Sequence, residues 1–244
     1  MNQPALWFFC AALFAISVLY SSVGQAGASG YIAAMAVFGF APATIKPTAI
    51  VLNVLVAAVV SIRFYWGGHF SWRLLMPFAL AALPTALIGG YVTLPPVAFN
   101  RLLGALLLIA AAPFFFRRNV SSPVGQPHVV VALVTGAGIG LVSGLTGVGG
   151  GVLITPVLLY CRWATPKTAA SVSAVFILIN SLAALLGHLG ATHNLPEHLT
   201  LFALCAFTGG MIGAHFGTAH LSAKAIYRIL GVILFVAGGK LLLS

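Results

Sequence analysis

Long apolar runs separated by short polar segments dominate the hydrophobic pattern of this 244-residue chain. Eight of the runs are predicted to cross about 30 Å of hydrocarbon as helices, which rise about 1.5 Å per residue. Backbone groups in lipid must bond within their own segment, so such runs predict a helical bundle and not a barrel. The runs cover residues 4–20, 44–62, 72–92, 98–116, 129–142, 168–189, 198–216 and 223–243.

The composition agrees with this pattern and sets the fold class. Hydrophobic residues make up 61% of the chain, charged residues make up 5%, and Glu197 is the single acidic residue. A soluble domain keeps about a quarter of its residues charged, so we predict an all-α polytopic membrane protein whose surroundings are a lipid bilayer. The basic residues are scattered one or two per loop, which does not fit a nucleic-acid partner.

The chain repeats itself in two halves. Pairs of similar positions recur at offsets of 124 to 127 residues, from Pro42 and Pro166 to Arg101 and Arg228. We therefore predict a first transmembrane repeat over residues 1–118, a polar cytoplasmic linker over 119–128 and a second repeat over 129–244. Each half makes an odd net number of crossings, so the two repeats are expected to be inverted, a common plan of secondary transporters.

The charges predict an orientation for this topology. Eight of the Lys and Arg residues fall on one side and three on the other. The positive-inside rule assigns the richer side to the cytoplasm, so both termini are expected outside. The eight are Arg63, Arg73, Arg117, Arg118, Arg162, Lys167, Lys224 and Arg228, and the three are Lys46, Arg101 and Lys240.

Glycines interrupt the first apolar run of each half, within residues 24–30 and 144–151. Where a helix is broken inside protein, the free N–H groups at the new N-terminus attract anions. The two segments, re-entrant or short helices, are therefore predicted to face each other near the bilayer midplane. The alternative is that the glycines only allow close helix packing.

Neutral polar residues in or near these segments complete the predicted substrate site. Asn53 and Asn180 each lie in an apolar stretch of their own half and would add amide donors, unless they only bond a neighbouring helix. Ser173 is expected to bond back to its own helix. The predicted site consists of Ser22, Gln25, Gly27, Ser29, Gly30, Asn53, Thr146, Gly147, Gly149, Gly150, Gly151 and Asn180.

The run from Gly147 to Pro156, followed by residues 164–167, 169–173, 212–214 and 228–231, resembles the TauE/SafE family of sulfite and organosulfonate exporters. The resemblance covers nearly the whole chain and implies a bacterial cytoplasmic-membrane transporter. It further implies export of sulfite, sulfoacetate or a similar small sulfur-containing anion by alternating access near the glycine motifs. The family pattern falls on Gly147, Gly149, Gly150, Gly151 and Pro156.

Two other functions remain open at this stage. The first is a passive anion channel or uniporter, because proton coupling would have to use histidines such as His215 and His188. The second is a rhomboid-like intramembrane serine protease that uses Ser29 and His215. We expect no enzyme, because the Gly-x-Ser-Gly pattern is short and has no equivalent in the second half. No cofactor or metal is expected, since the histidines lack ligand spacing, and the oligomeric state stays undetermined.

Overall fold

The computed structural model describes residues 3–115, 125–191, 198–216 and 223–243. Within these ranges the chain forms ten α-helices and no β-strand, which confirms the prediction of an all-α fold. Glu197, Arg117, Arg118 and most of the predicted linker lie outside the described residues. The helices are α1 (Gln3–Ser21), α2 (Ala28–Val37), α3 (Pro42–Trp66), α4 (Trp72–Tyr91), α5 (Pro96–Phe115), α6 (Val129–Thr146), α7 (Gly151–Tyr160), α8 (Pro166–Ala191), α9 (Leu199–Phe216) and α10 (Ala223–Leu243).

Helix length separates these elements into two groups. Five of the described helices, α1, α3, α4, α6 and α8, are long and apolar enough to cross a membrane. Helices α5, α9 and α10 have 20, 18 and 21 residues, so each of the eight predicted spans corresponds to a helix of at least 18 residues. Helices α2 and α7 have 10 residues each, which gives about 15 Å, half the thickness of the hydrocarbon. Neither is long enough to cross on its own.

Local sequence explains where several helices begin. Pro42, Pro96 and Pro166 stand at the first position of α3, α5 and α8, where proline lacks only an N–H that the helix would not use. Ser71 caps α4, because its hydroxyl accepts from the amide of Leu74 at 3.4 Å. These starts follow ordinary helix-capping rules.

The helices pack in pairs that join the two halves of the sequence. Helix α1 packs along α9, α4 packs along α6 and α8, α3 packs along α8, and α5 packs along α10. Helices α3 and α8 run antiparallel, because Ser171 bonds the carbonyl of Phe64 and Asn53 bonds Ser181. The order of contacts thus reverses along the two helices. Both halves of the sequence contribute buried residues to the core.

Glycines let α4 and α6 approach closely. Gly136, Gly140 and Gly144 of α6 lie directly on backbone atoms of Phe78, Ala82 and Ala86 of α4. This four-residue spacing is the small-residue packing face of membrane helices. Close helix packing therefore explains the glycines of α6, including Gly144 of the predicted glycine segment. The other glycines of that segment, at 147 and 149–151, come after the end of α6.

Aromatic and basic residues gather at the end where α3 stops and α4 starts. The rings of Phe78 and Trp163 lie 6.2 Å apart, which brings the start of α8 beside the start of α4. The exposed residues Arg63, Arg73 and Arg162 lie at the helix ends that meet there. We call this the basic end of the molecule and the opposite one the α4 carboxyl end.

Candidate substrate site between two glycine-containing connectors

The connector between α6 and α7, residues 147–150, has a backbone that favours glycine. Gly147, Gly149 and Gly150 have φ angles of +82°, +79° and +79°, in the left-handed region that side-chain-bearing residues rarely adopt. The amides of Val148, Gly149 and Gly150 have no backbone acceptor among the described residues. Successive free amides in such a conformation form a concavity that attracts anions. We call residues 147–150 the second connector.

The connector between α1 and α2, residues 22–27, is its counterpart in the first half. Gly24 and Gly27 have φ angles of +82° and +96°, and α2 begins directly after Gly27. The Tyr31 hydroxyl donates to the carbonyl of Ala26 at 2.7 Å, and its oxygen lies 2.9 Å from the hydroxyl of Ser17. This buried network shapes residues 22–27, which we call the first connector.

Asn53 of α3 links the start of α2 to the second connector. Its Oδ1 accepts from the amide of Ala28, the first residue of α2, at 3.2 Å. Its Nδ2 donates to Ser181 of α8 at 2.8 Å and lies so close to Gly149 that a Cβ there would overlap it. Asn53 is 1% exposed. The amide predicted as a substrate donor is therefore already engaged, and it holds the start of α2 next to the second connector.

Asn180 of α8 lies against the second connector alone. Its Nδ2 donates to Ser143 of α6 at 2.6 Å, and it would lie 3.1 Å from a Cβ at Gly150. Its Oδ1 is buried and has no hydrogen-bond partner in the part of the chain that the structure describes. A buried carbonyl without a donor is costly, so this oxygen marks a position where a bound molecule or water would supply one.

A second polar group joins the first connector to the other half. Gln25 donates through Nε2 to Thr155 of α7 at 3.2 Å, and Thr155 bonds Ser173 of α8 at 2.8 Å. Oε1 of Gln25 is buried without a partner in the described ranges. Ser173 thus accepts a bond from α7, which differs from the expectation that it would only bond its own helix.

Three predicted site hydroxyls have local partners. Ser22 donates to the carbonyl of Leu19 at 2.7 Å, and Thr146 donates to the carbonyl of Val142 at 2.7 Å. Ser29 donates to the Tyr20 hydroxyl at 2.9 Å. Each of these side chains holds its own segment of chain, as polar groups in membrane helices commonly do.

The residues predicted for protease chemistry are in different surroundings. Ser29 is fully buried and bonds Tyr20, whereas His215 is exposed in the last turn of α9. His188, the other predicted proton-coupling residue, is buried in the last turn of α8. No group of three or more His, Cys, Asp or Glu side chains that could hold a metal ion occurs in the described ranges.

The structure adds polar residues that the sequence did not single out. Thr155, Ser181 and Ser143 bond the predicted residues Gln25, Asn53 and Asn180 across the helices. Thr155 precedes Pro156, which interrupts the hydrogen bonding of α7. A hydroxyl beside a proline, immediately after the glycine run, was the available signal for this residue.

Comparisons with known proteins identify the family to which the chain is similar. The family model described as "Sulfite exporter TauE/SafE" matches residues 8–241. A probable membrane transporter protein, y4hK, of Sinorhizobium fredii is 44% identical over 236 residues, which cover 95% of this chain and 96% of that protein. A probable membrane transporter protein of Xylella fastidiosa (strain Temecula1) is 30% identical over 111 residues, covering 45% of this chain and 42% of the relative.

Further similarity is found in the probable membrane transporter protein YunE of Bacillus subtilis, at 25% identity over 134 residues, 51% of this chain and 47% of YunE. No solved structure matches the chain. The predicted family resemblance is confirmed, and the protease alternative is wrong, because the family consists of transporters and not of enzymes. The chain belongs to the TauE/SafE family of membrane transporters.

Proposed function

We propose that the protein exports a small sulfur-containing oxyanion, such as sulfite or sulfoacetate, and that the anion binds between the two connectors. The observation that carries this proposal is the row of free amides at residues 148–150 beside the unpartnered carbonyl of Asn180. An oxyanion accepts hydrogen bonds from the amides, and a protonated oxygen or a water bound with it serves the carbonyl. The family description as sulfite exporter supports the choice of cargo.

The neutral character of the site suits transport. Gln25, Asn53 and Asn180 are uncharged and buried, and the only acidic residue of the chain, Glu197, lies outside the described residues. Helix N-termini and amides attract an anion by partial charges. Such a site releases its ligand more readily than a buried arginine would, because binding must stay weak enough for the anion to leave.

The pairing of helices supports two inverted repeats, residues 1–118 and 129–244, joined by a linker over 119–128. A two-fold axis in the membrane plane makes equivalent helices antiparallel. Helices α3 and α8 fit this requirement, and so do α5 and α10, where Gly104 contacts Leu242 and Gly238 contacts Leu108. Alternating access would then follow from relative motion of the helix groups around the connectors.

Individual glycine contacts also recur between the halves. Gly89 of α4 lies against the carbonyl oxygen of Leu141 in α6, and Gly213 of α9 lies against that of Val18 in α1. These contacts are related by offsets of 124 and 123 residues. The α1–α9 pair thus corresponds to the α6–α4 pair, as an inverted duplication requires.

Charge placement supports an orientation with both termini outside a bacterial cytoplasmic membrane. Arg63, Arg73, Arg162 and Lys167 are exposed at the basic end, which we assign to the cytoplasm. Arg117, Arg118, Lys224 and Arg228 complete the predicted set, although their side chains lie outside the described part. Basic residues at the entrance would also draw anions toward it.

Anion flux from proteoliposomes tests the site and the cargo together. Vesicles are loaded with sulfite, sulfoacetate, sulfate or chloride, and the parent chain is compared with Gly150→Leu. A side chain at Gly150 would approach Ile139 and Phe176 at 2.9 Å and would require a strained φ of +79°. Gly68→Leu is the matched control, because its φ is +74° and nothing lies within 4 Å.

Sulfite or sulfoacetate flux that falls at least about tenfold in Gly150→Leu but not in Gly68→Leu would support the site, since tenfold corresponds to about 1.4 kcal/mol. Equal flux in Gly150→Leu and the parent chain would refute the placement at the second connector. If the parent chain transports none of the sulfur-containing anions, the proposed cargo is refuted. A pH gradient applied to the parent, His215→Ala and His188→Ala distinguishes proton coupling from the passive alternative.

A further inference from the structure

Lys46 is unusual among the charged residues. Among the Lys and Arg side chains that the structure describes, it alone is buried, with 6% of its surface exposed. It lies in the second turn of α3, and its ammonium donates to the carbonyls of Gly89 and Gly90 at 3.0 Å each and of Val92 at 2.8 Å. Burial of an ammonium is costly even with hydrogen bonds, so this arrangement calls for a role.

The ammonium binds the end of α4 that supports the second connector. Gly89 lies against Leu141 and Leu145 in the last part of α6, and Gly90 lies against Ala184 of α8. The backbone carbonyl of Lys46 itself would lie 3.0 Å from a Cβ at Gly147. Lys46 therefore touches the second connector directly through its backbone and holds it indirectly through α4.

In the described part of the chain, no buried Lys or Arg side chain lies against the first connector. Gly24 lies against Ala170 of α8, whose Cβ would be 2.6 Å from a Cβ at Gly24. Under the proposed inverted repeats, Gly24 corresponds to Gly147 and Ala170 corresponds to Lys46, at offsets of 123 and 124 residues. The same packing position thus holds an alanine near the basic end and a lysine near the α4 carboxyl end.

We propose that Lys46 is a positioning residue for transport, whose ammonium ties α3 to the end of α4 and keeps the α4 carboxyl end closed around the second connector. The tie must release when this end opens. The inference rests on the proposed alternating access but not on the identity of the cargo. Three charged hydrogen bonds hold the α4 carboxyl end, and among the described residues no such bond holds the basic end. The closed state of the α4 carboxyl end is therefore favoured in the absence of substrate.

Cysteine accessibility tests this role without any transported anion. Ile50→Cys, in a background with the three native cysteines replaced by alanine, places a thiol one turn after Lys46 beside Gly147. The alkylation rate by a water-soluble maleimide is measured in purified protein with Lys46, Lys46→Met or Lys46→Arg. We expect Lys46→Met to raise the rate at least about tenfold, the factor for one lost charged hydrogen bond. Lys46→Arg, which keeps the charge, should stay nearer the parent rate.

Two controls separate the tie from general destabilisation. Ser171→Cys reports on the first connector, because Ser171 is 1% exposed and bonds Phe64 of α3; its rate should not rise in Lys46→Met. Lys240→Met removes a lysine that also caps a helix end, through the carbonyls of Ala36 and Val37 at 2.8 and 2.9 Å, but at an exposed position. It should leave the Ile50→Cys rate unchanged.

Three results would overturn the proposal. They are an unchanged Ile50→Cys rate in Lys46→Met, an equal rise at Ser171→Cys, and rapid alkylation of Ile50→Cys already in the presence of Lys46. If Lys46→Met does not fold, the proposal is still tested by the alkylation rates of Ile50→Cys with native Lys46 and with Lys46→Arg. Both rates should be low. A failed anion-flux assay would refute the cargo while leaving these rates to be judged independently.

Discussion

Gly149→Ala is expected to disrupt the contact between the second connector and Asn53. The left-handed conformation at φ +79° costs a residue with a side chain about 1–2 kcal/mol. The new Cβ would also overlap Nδ2 of Asn53 and lie 3.1 Å from the hydroxyl of Ser181. Asn53 must then move away from Ser181 and from the amide of Ala28, and each broken buried bond adds about 1–3 kcal/mol.

The free energy of unfolding should therefore fall by about 3–8 kcal/mol in Gly149→Ala. Gly39→Ala is the matched control, because its φ is +78° and no atom lies within 4 Å of the added Cβ. It should lose only the backbone component, about 1–2 kcal/mol. The difference between the two variants isolates the contact with Asn53.

Thermal unfolding of detergent-purified protein measures this difference. At about 2–4 °C per kcal/mol for a chain of this size, Gly149→Ala should melt at least about 4 °C below Gly39→Ala. Its anion flux in proteoliposomes should fall as well, because Asn53 no longer holds the start of α2 next to the second connector. Equal melting temperatures for the two variants would refute the reasoning, since they would show that the Asn53 contact adds nothing to the cost of the backbone conformation.

Three further variants test single contacts. Thr155→Val removes the hydroxyl that bonds Gln25 and Ser173 and should lower anion flux about tenfold. Thr208→Val is the control and should leave anion flux within about twofold, because the Thr208 hydroxyl bonds a carbonyl of its own helix at an exposed position. Gly140→Ala should reduce the melting temperature by several degrees because its Cβ meets α4 backbone, and Gly138→Ala, with open space, should not. Tyr31→Phe removes the bond to the first connector and should cost about 1–3 kcal/mol by thermal unfolding; an unchanged melting temperature would contradict that role.

Hydrophobic pattern alone located the long helices well. The apolar run 72–92 corresponds to Trp72–Tyr91, and the run 223–243 corresponds to Ala223–Leu243. Runs of this length have one solution in lipid, so local composition is sufficient. The sequence did not define the bounds of the short helices α2 and α7. A 10-residue apolar segment after glycines is compatible with a loop, a half-helix or the continuation of a span.

The site was predictable only in part, for a physical reason. Asn53 and Asn180 are identifiable because an amide is rare in an apolar helix, and the structure places both beside the second connector. Thr155 and Ser181 are not identifiable in this way, since hydroxyls in membrane helices commonly bond their own backbone. Thr155 does bond the carbonyl of Gly151 in its own helix, but it also accepts from Gln25, and Ser181 accepts from Asn53. These contacts with the other half of the chain depend on tertiary packing.

The packing of α4 against α6 has a consequence for biogenesis. During synthesis α4 enters the bilayer before α6 exists, so the face that later receives Gly136, Gly140 and Gly144 is first covered by lipid. Helix α1 is synthesised even longer before its packing partner α9. The helices of the first half therefore reach their final packing only after the second half has been inserted. A chain truncated after α5 should be degraded by membrane quality control, whereas co-expression of both halves should restore a stable protein.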